Sequence, residues 1–294
     1  MSVIVPFAGP PESLEQLVGV LMRLTLRDDD EVIVAHNRRP SGHRELRGRV
    51  LVLGAGGLRS PAYARNQAAG IARGRWLVFL DADTTPDHSL VEQLFQPPPG
   101  ERTSILAGRI EDVGGGTGLL ARHTLARRPM SQELTLSRPG FGYAQTANCA
   151  VRADAFASVG GFVAGARAGE DADLCLRLQK AGWLLEPRHG AVVTHRGRHM
   201  LRGRLAQLAR HGAGAAWVER RHPGAMPPPR PLALGRRLGS EARATIRELR
   251  RGRGEAAAFH ALDLLGALAF ELGRLAPNRA RPERRTARDR PPRA

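Results

Sequence analysis

Five short apolar runs punctuate the first 110 positions of the chain: SVIVPF (2–7), EVIVAH (31–36), RVLVLG (49–54), WLVFLD (76–81) and SILAGRI (104–110). Their apolar residues run on instead of alternating with polar ones. That predicts strands buried on both faces, as in a mostly parallel sheet covered by helices. Between the runs the spacing becomes helical. In PESLEQLVGVLMRL (11–24), Leu14, Leu17, Val18 and Leu21 share one face behind Pro11. SPAYARNQAAGIARG (60–74) opens with Ser60 as an N-cap and Pro61 in the first turn, and PDHSLVEQLF (86–95) is again opened by proline. Strands alternating with helices predict an α/β fold, and in such sheets ligands bind beyond the carboxyl ends of the strands.

After residue 110 the rhythm changes. VGGGTGLLARHTLARR (113–128) predicts a glycine-rich turn and a basic helix, without the Gly-Lys-Ser/Thr ending of a phosphate-binding loop. YAQTANCAVRADAFASVGGF (143–162) predicts a strand, a helix and a glycine turn. GEDADLCLRLQKAGW (169–183) predicts a helix with an acidic first turn. LLEP and AVVTH predict two short strands, and a helix follows over about 199–221. RHPGAMPPPRPLALG reads as a linker, AAAFHALDLLGALAFELGRLAP (256–277) as an interfacial or packed helix, and the Arg- and Pro-rich stretch after Pro277 as disordered. The domain division expected is 1–222 for a catalytic domain (1–110 and 111–222 as its two halves), 223–277 for a linker and helical extension, and 278–294 for a tail.

The net charge of +17 would suggest a polyanionic partner if it were spread evenly. It is not. Residues 1–195 carry 22 basic and 20 acidic side chains, and residues 196–294 carry 23 and 8. The excess therefore sits in the last third, without the interleaved aromatics of a nucleic-acid stacking platform, so no nucleic-acid partner is expected. An anionic membrane surface suits it better. Two cysteines, Cys149 and Cys175, make no disulfide framework. The N-terminus lacks a signal-peptide pattern, and no window holds about 18 uninterrupted apolar residues. The expected location is cytoplasmic, with the basic end resting peripherally on the inner face of the membrane.

Candidate chemistry begins where the fourth run ends, in DADTTP. Asp81 and Asp83, one residue apart at a strand's carboxyl end, can chelate a hard divalent cation. Glu170 and Asp171 open a helix; they either complement its dipole or supply a general base. His195 closes a short strand and would complete a metal site if it lies beside Asp83. Arg65, on the helix of AYARNQAAG, could reach a diphosphate.

Taken in order, SVIVPF, EVIVAHN, AYARNQAAGIARGRWLVFLDADTTP, TANCAVRADAFASVGGF, GEDADLCLRLQKAG, VVTH and QLARHGAGAA resemble the family 2 glycosyltransferases over roughly residues 1–215. The resemblance implies the GT-A fold, a Rossmann-like nucleotide-binding half followed by an acceptor half, and transfer of a sugar from a nucleotide-diphosphate donor with inversion. It implies Mg²⁺ or Mn²⁺ as cofactor, held by Asp83 with Asp81 near the metal or ribose, and His195 as a metal or phosphate ligand. Pro6, His36, Asn37, Arg65, Asn66 and Asn148 would contact the nucleotide-sugar, and Asp171, with Glu170 beside it, would be the catalytic base. The acceptor would be a glycan or lipid-linked. The sequence departs from the family's pattern after the second strand, where an acidic pair is replaced by His36 and Asn37, and this leaves the nucleotide base open.

Two rival readings compete. DADTT fits the pattern of haloacid-dehalogenase-type phosphatases, with Asp81 as nucleophile, but Lys180 is the only lysine available for that mechanism and falls inside the 169–183 helix. The other rival is a protein of the same fold that binds a nucleotide-sugar without turning it over.

Overall fold

A computed structural model of the chain describes residues 1–114, 116–197 and 200–282. The first half is built as the apolar runs predict. β1 (Ser2–Phe7), β2 (Glu31–His36), β4 (Val50–Gly54) and β5 (Trp76–Leu80) lie side by side in parallel, in the order β4-β2-β1-β5. α1 (Pro11–Leu21) turns Leu14, Leu17, Val18 and Leu21 onto one face of this sheet. α2 (Pro61–Ala69) covers the opposite face through Ala62, Ala64 and Ala68. Ser60 caps α2 by accepting a hydrogen bond from the Tyr63 backbone N–H. Small residues let this helix ride close to the strands, and Arg65, on the same side, is carried into the protein rather than outward.

The second half adds antiparallel pairs. β8 (Asn148–Arg152) runs against β5, and β7 (Thr103–Val113) runs against β8. β9 (Leu184–Arg196) lies parallel to β7 and pairs at its far end with the three-residue β6 (Thr84–Pro86). With β3 (Arg44–Arg47) on the outer edge, the sheet among the described residues reads β3-β4-β2-β1-β5-β8-β7-β9-β6. LLEP and AVVTH are thus two ends of one long, irregular strand, whose register with β7 shifts after Gly108. β3 and β6 are too short and polar to announce themselves in sequence.

α3 (Leu90–Leu94), α4 (Leu119–Arg127), α5 (Gln132–Leu136) and α6 (Ala153–Ser158) are short connectors; α7 (Glu170–Lys180) follows on the sheet's α2 side. Asp173, whose charge could merely favour the start of α7, is fully buried. It accepts hydrogen bonds from Arg177, from Arg221 and from His222 at 2.8–2.9 Å, tying α7 to α8 (Leu201–Arg221).

The C-terminal third departs most from expectation. α9 (Pro231–Arg250) begins inside the stretch expected to be a linker, and α10 (Gly254–Gly273) packs closely on both α8 and α9. The helices meet without intervening side chains. A Cβ on Gly273 would sit 2.1 Å from the Ala209 carbonyl oxygen, and one on Gly212 would sit 1.9 Å from that of Phe270. The start of the expected tail is also ordered. Asn278 hydrogen-bonds the backbone of Arg167 and Ala168, and Arg281 accepts from the Arg59 N–H. Residues 283–294 lie outside the described residues.

Candidate active site

β5 ends at Leu80, and the chain turns through Asp81, Ala82 and Asp83 into β6. The turn is closed by the Thr84 hydroxyl and N–H, both donating to the Asp81 carbonyl. Because β6 pairs with β9 in a register that sets Thr84 opposite His195, Asp83 lands beside that histidine; Nε2 is 3.7 Å from Asp83 Oδ2. The other ring nitrogen, Nδ1, is 3.0 Å from Oδ1 of Asp112, which also accepts from the Met130 N–H. His195 is therefore held by one carboxylate and aimed at another. Burial works to lower its pKa, but the hydrogen bonds to Asp112 and Asp83 outweigh it and push the imidazole up to about 9.

Arg65 joins this turn to the far side of the cleft. Its guanidinium, 3% exposed, donates to Asp81 Oδ1 at 2.5 Å and to Glu170 Oε1 at 3.1 Å. Phe162 lies beneath it, 5.7 Å from the ring centroid. Burial opposes its charge, and the Asp81 and Glu170 carboxylates more than compensate. Asp81 shows the converse balance: burial raises its pKa and Arg65 only partly offsets that, while 31% of the side chain still opens to the cleft.

Glu170 and Asp171 begin α7 behind Gly169, whose φ of 81° favours glycine and which sits tightly against Val218 and the Gly214 backbone. Among the described residues Asp171 accepts only the neighbouring Ala172 N–H, at 2.8 Å. Burial first, then the Glu170 charge, pushes its carboxyl up to about 7. A carboxylate with that affinity is suited to taking a proton from a hydroxyl near neutral pH.

Pro6, Asn37, Arg65, Asp81, Asp83, Glu170, Asp171 and His195 all line one cleft of about 1770 Å³. Three expected contacts do not. His36 is buried with its ring edge-on to Phe7. Asn66 is spent on the Phe162 backbone, donating to its carbonyl and accepting from its N–H. Asn148 is fully buried beneath Gly108, donating to the Arg109 and Ala191 carbonyls where β7 changes register, so it ties strands of the sheet together. Asn37 does reach the cleft, but its two amide N–H groups already donate to Ala55 and Leu58.

Two features of the site lie outside the sequence reading. One is Asp112. A signal for it exists, because within β7 it shares alternation with the buried Ile110 while Glu111 and Val113 point outward. The other is the helical wall of the cleft, supplied by α8, α9 and α10 through residues such as Leu208, Glu241, Asp263 and Arg274. Nothing in a local pattern says that a helix at 254–273 returns to a site at 81–83. The phosphatase reading fails here: Asp81 is bonded to Arg65, and Lys180 contacts His222 at 3.0 Å and does not line the cleft.

The cation that such a site would take finds a suitable donor set. Asp83 offers a carboxylate that is 56% exposed, and His195 faces it with Asp112 fixing the ring, the carboxylate–histidine arrangement that orients metal ligands.

Comparison with known proteins points to glycosyl transfer. The pre-mycofactocin glycosyltransferases of Mycobacterium tuberculosis strains CDC 1551 / Oshkosh and ATCC 25618 / H37Rv are each 29% identical over 230 residues, covering 76% of this chain. The chain spans about half the length of these curated relatives, 48% of each. Among solved structures, the mannosyltransferase PcManGT from Pyrobaculum calidifontis, in complex with GDP-Man and Mn²⁺, superposes with a TM-score of 0.59 at 17% identity, over 93% of this chain and 86% of that one. Its fold is the GT-A fold. The pattern of Glycosyl transferase family 2 matches residues 2–160, more than half of the sequence, and the chain belongs to that family.

Proposed function

We propose that this glycosyltransferase is inverting and cation-dependent, and that it moves a sugar from a nucleotide-diphosphate donor to an acceptor hydroxyl. The observation that carries the reading is the Arg65 bridge, which sets the Asp81–Asp83 turn and the Glu170–Asp171 turn on one cleft. Asp83 and His195 would hold Mg²⁺ or Mn²⁺, which supplies positive charge against the leaving diphosphate. Asp171 takes the proton of the attacking hydroxyl. Glu170 and Asp81 share the single positive charge of Arg65 through direct ion pairs, whereas Asp171 pairs with no cation among the described ion pairs, which suits it to act as base. Pro6 and Asn37 lie at the nucleotide end, where one lone pair on Asn37 Oδ1 is left once Ser60 N–H has been accepted at 3.1 Å. The GDP-Man and Mn²⁺ of the structural neighbour make a guanosine donor and manganese the first pair to test.

The acceptor we infer is a glycan or lipid-linked glycan of the cell envelope, met at the inner face of the cytoplasmic membrane. α10 is the one helix among the described residues long and apolar enough to cross a membrane by length and composition. Yet it packs on α8 and lines the cleft, and Leu265, Leu268 and Leu272 recur along its exposed side, with Leu275 exposed just beyond its end. On α9, exposed Leu232, Ile246 and Leu249 share a face with Arg243 and Arg250. An apolar stripe beside arginines suits the surface of an anionic bilayer.

The test is turnover of nucleotide-sugars with Mn²⁺ by the wild type, Asp83→Ala and Asp171→Asn, with the anomeric configuration of the product read by NMR. Manganese-dependent formation of an inverted product, lost in both variants, is expected. Tight nucleotide-sugar binding without turnover on any acceptor or on water would make the protein a binder. For the membrane, Leu268→Glu with Leu272→Glu should abolish flotation on anionic liposomes; unchanged flotation would remove the idea.

A further inference from the structure

A second group of ligating side chains lies on the helical wall, away from the strand ends. His260 and Asp263 stand one turn apart on α10, and Glu241 faces them from α9. One ligand atom from each lies within 4.8 Å of the other two, and all three residues are half-buried. His260 Nδ1 is 2.8 Å from Glu241 Oε2. A histidine and an acid at i and i+3 on one helix, met by a glutamate from its neighbour, is how helical bundles present cation ligands.

The surroundings fit a ligating role for Asp263. Arg127 of α4 donates to its Oδ2 at 2.6 and 2.8 Å, and His123 of α4 contacts Oδ1 at 2.8 Å. Such outer hydrogen bonds fix the carboxylate as ligating carboxylates are fixed in metal sites. They also place the group where α4 of the catalytic core meets the α9–α10 hairpin. Glu241 and Asp263 line the cleft, so a position on the bound ion would remain open to it.

The geometry points to a second divalent-cation site, formed by Glu241, His260 and Asp263, that pins the α9–α10 hairpin across the cleft from Asp83. One imidazole and two carboxylates are a borderline donor set, for which zinc outranks manganese and magnesium in affinity. The ion would be structural for the cleft wall, and it is separate from the cation of the donor site.

The experiment uses the full chain in an Asp83→Ala background, so that the donor site does not contribute. Zn²⁺ is titrated calorimetrically into metal-stripped protein, with stoichiometry checked by native mass spectrometry. One equivalent should bind, and affinity should fall at least tenfold on adding His260→Ala or Glu241→Gln. Glutamine can still accept the hydrogen bond from His260, so that variant keeps the helix pairing if His260→Ala loosens it; matching circular dichroism confirms the fold. Zn²⁺ should also raise the melting temperature of the Asp83→Ala protein and leave that of Asp83→Ala/Glu241→Gln unmoved. Equal affinity with and without Glu241 and His260, or no zinc bound by the Asp83→Ala protein, would overturn the proposal. Because Asp83 is absent throughout, failure of the donor-site reading leaves these outcomes unchanged.

Discussion

The close approach of α10 to α8 makes a prediction that needs no assumption about substrate. At Gly273 a methyl group would lie 2.1 Å from the Ala209 carbonyl oxygen, and comfortable contact begins near 3.4 Å. Gly273→Ala must therefore push the helices about 1.3 Å apart; the obstacle is backbone, which cannot rotate aside as a side chain can. Overpacking of this kind costs about 1–3 kcal/mol. For a chain of this size each kcal/mol lowers Tm by about 2–4 °C. Gly235→Ala supplies the control: that glycine is inside α9 with nothing within 4 Å, so the same methyl should stabilise by up to about 1 kcal/mol through helix propensity. The assay is calorimetric melting of the wild type and both variants, followed by donor-saturation kinetics. Gly273→Ala should melt lower and, because α10 walls the cleft, raise KM for the acceptor more than for the donor. If Gly273→Ala melts at or above the wild type while Gly235→Ala behaves as stated, the packing argument is refuted.

Other consequences are as direct. Asp171→Asn should lower kcat by about 10²–10⁴ if that carboxylate is the base. Its stability should move the other way. The folded pKa of about 7 exceeds the ordinary carboxylate value, so in the wild type stability falls as pH rises from about 4 to 7, and the variant should gain over the wild type across that window in urea melts. Activity of the wild type should correspondingly decline below about pH 7. With His195 raised to about 9, its ligation of manganese at pH 7 should release about one proton, read by calorimetry in buffers of different ionisation enthalpy; Mn²⁺ binding with no proton release would make the histidine a phosphate contact instead. Asp173→Ala should cost about 1–3 kcal/mol, because the buried His222 and the half-buried Arg177 lose their acceptor, while the exposed Arg221 can turn to water; a chemical denaturation midpoint near that of the wild type would contradict this.

How much of this was legible beforehand follows from where the information lies. The parallel strands β1, β2, β4 and β5 were readable because double-sided burial demands unbroken apolar runs. The placement of Asp81 and Asp83 at a strand end and of Glu170 and Asp171 at a helix start was readable because such boundaries are marked locally. That Asn148 and Asn66 turn their side chains to buried backbone was not legible, because an asparagine serving a buried carbonyl looks the same in sequence as one serving a sugar. The difference is set by Gly108 and Ala191, or by Phe162, residues distant along the chain. α9 was hidden by the prolines before it, which mark a linker and a helix start equally well. The edge strands β3 and β6 owe their conformation to a partner strand and carry little signal of their own.

The clasp formed by Asn278 and its neighbours has a practical consequence for handling the protein. Asn278 holds the 167–168 turn just ahead of Gly169, Ala280 N–H bonds to Gly165, and Arg281 holds Arg59 beside the N-cap of α2. Shortening the chain to remove its arginine-rich end should stop beyond Pro282. A cut at Pro277 would unfasten both loops that present Arg65 and Glu170, and a purification tag joined there would be read as a loss of catalytic competence when the fault lay in the fastening.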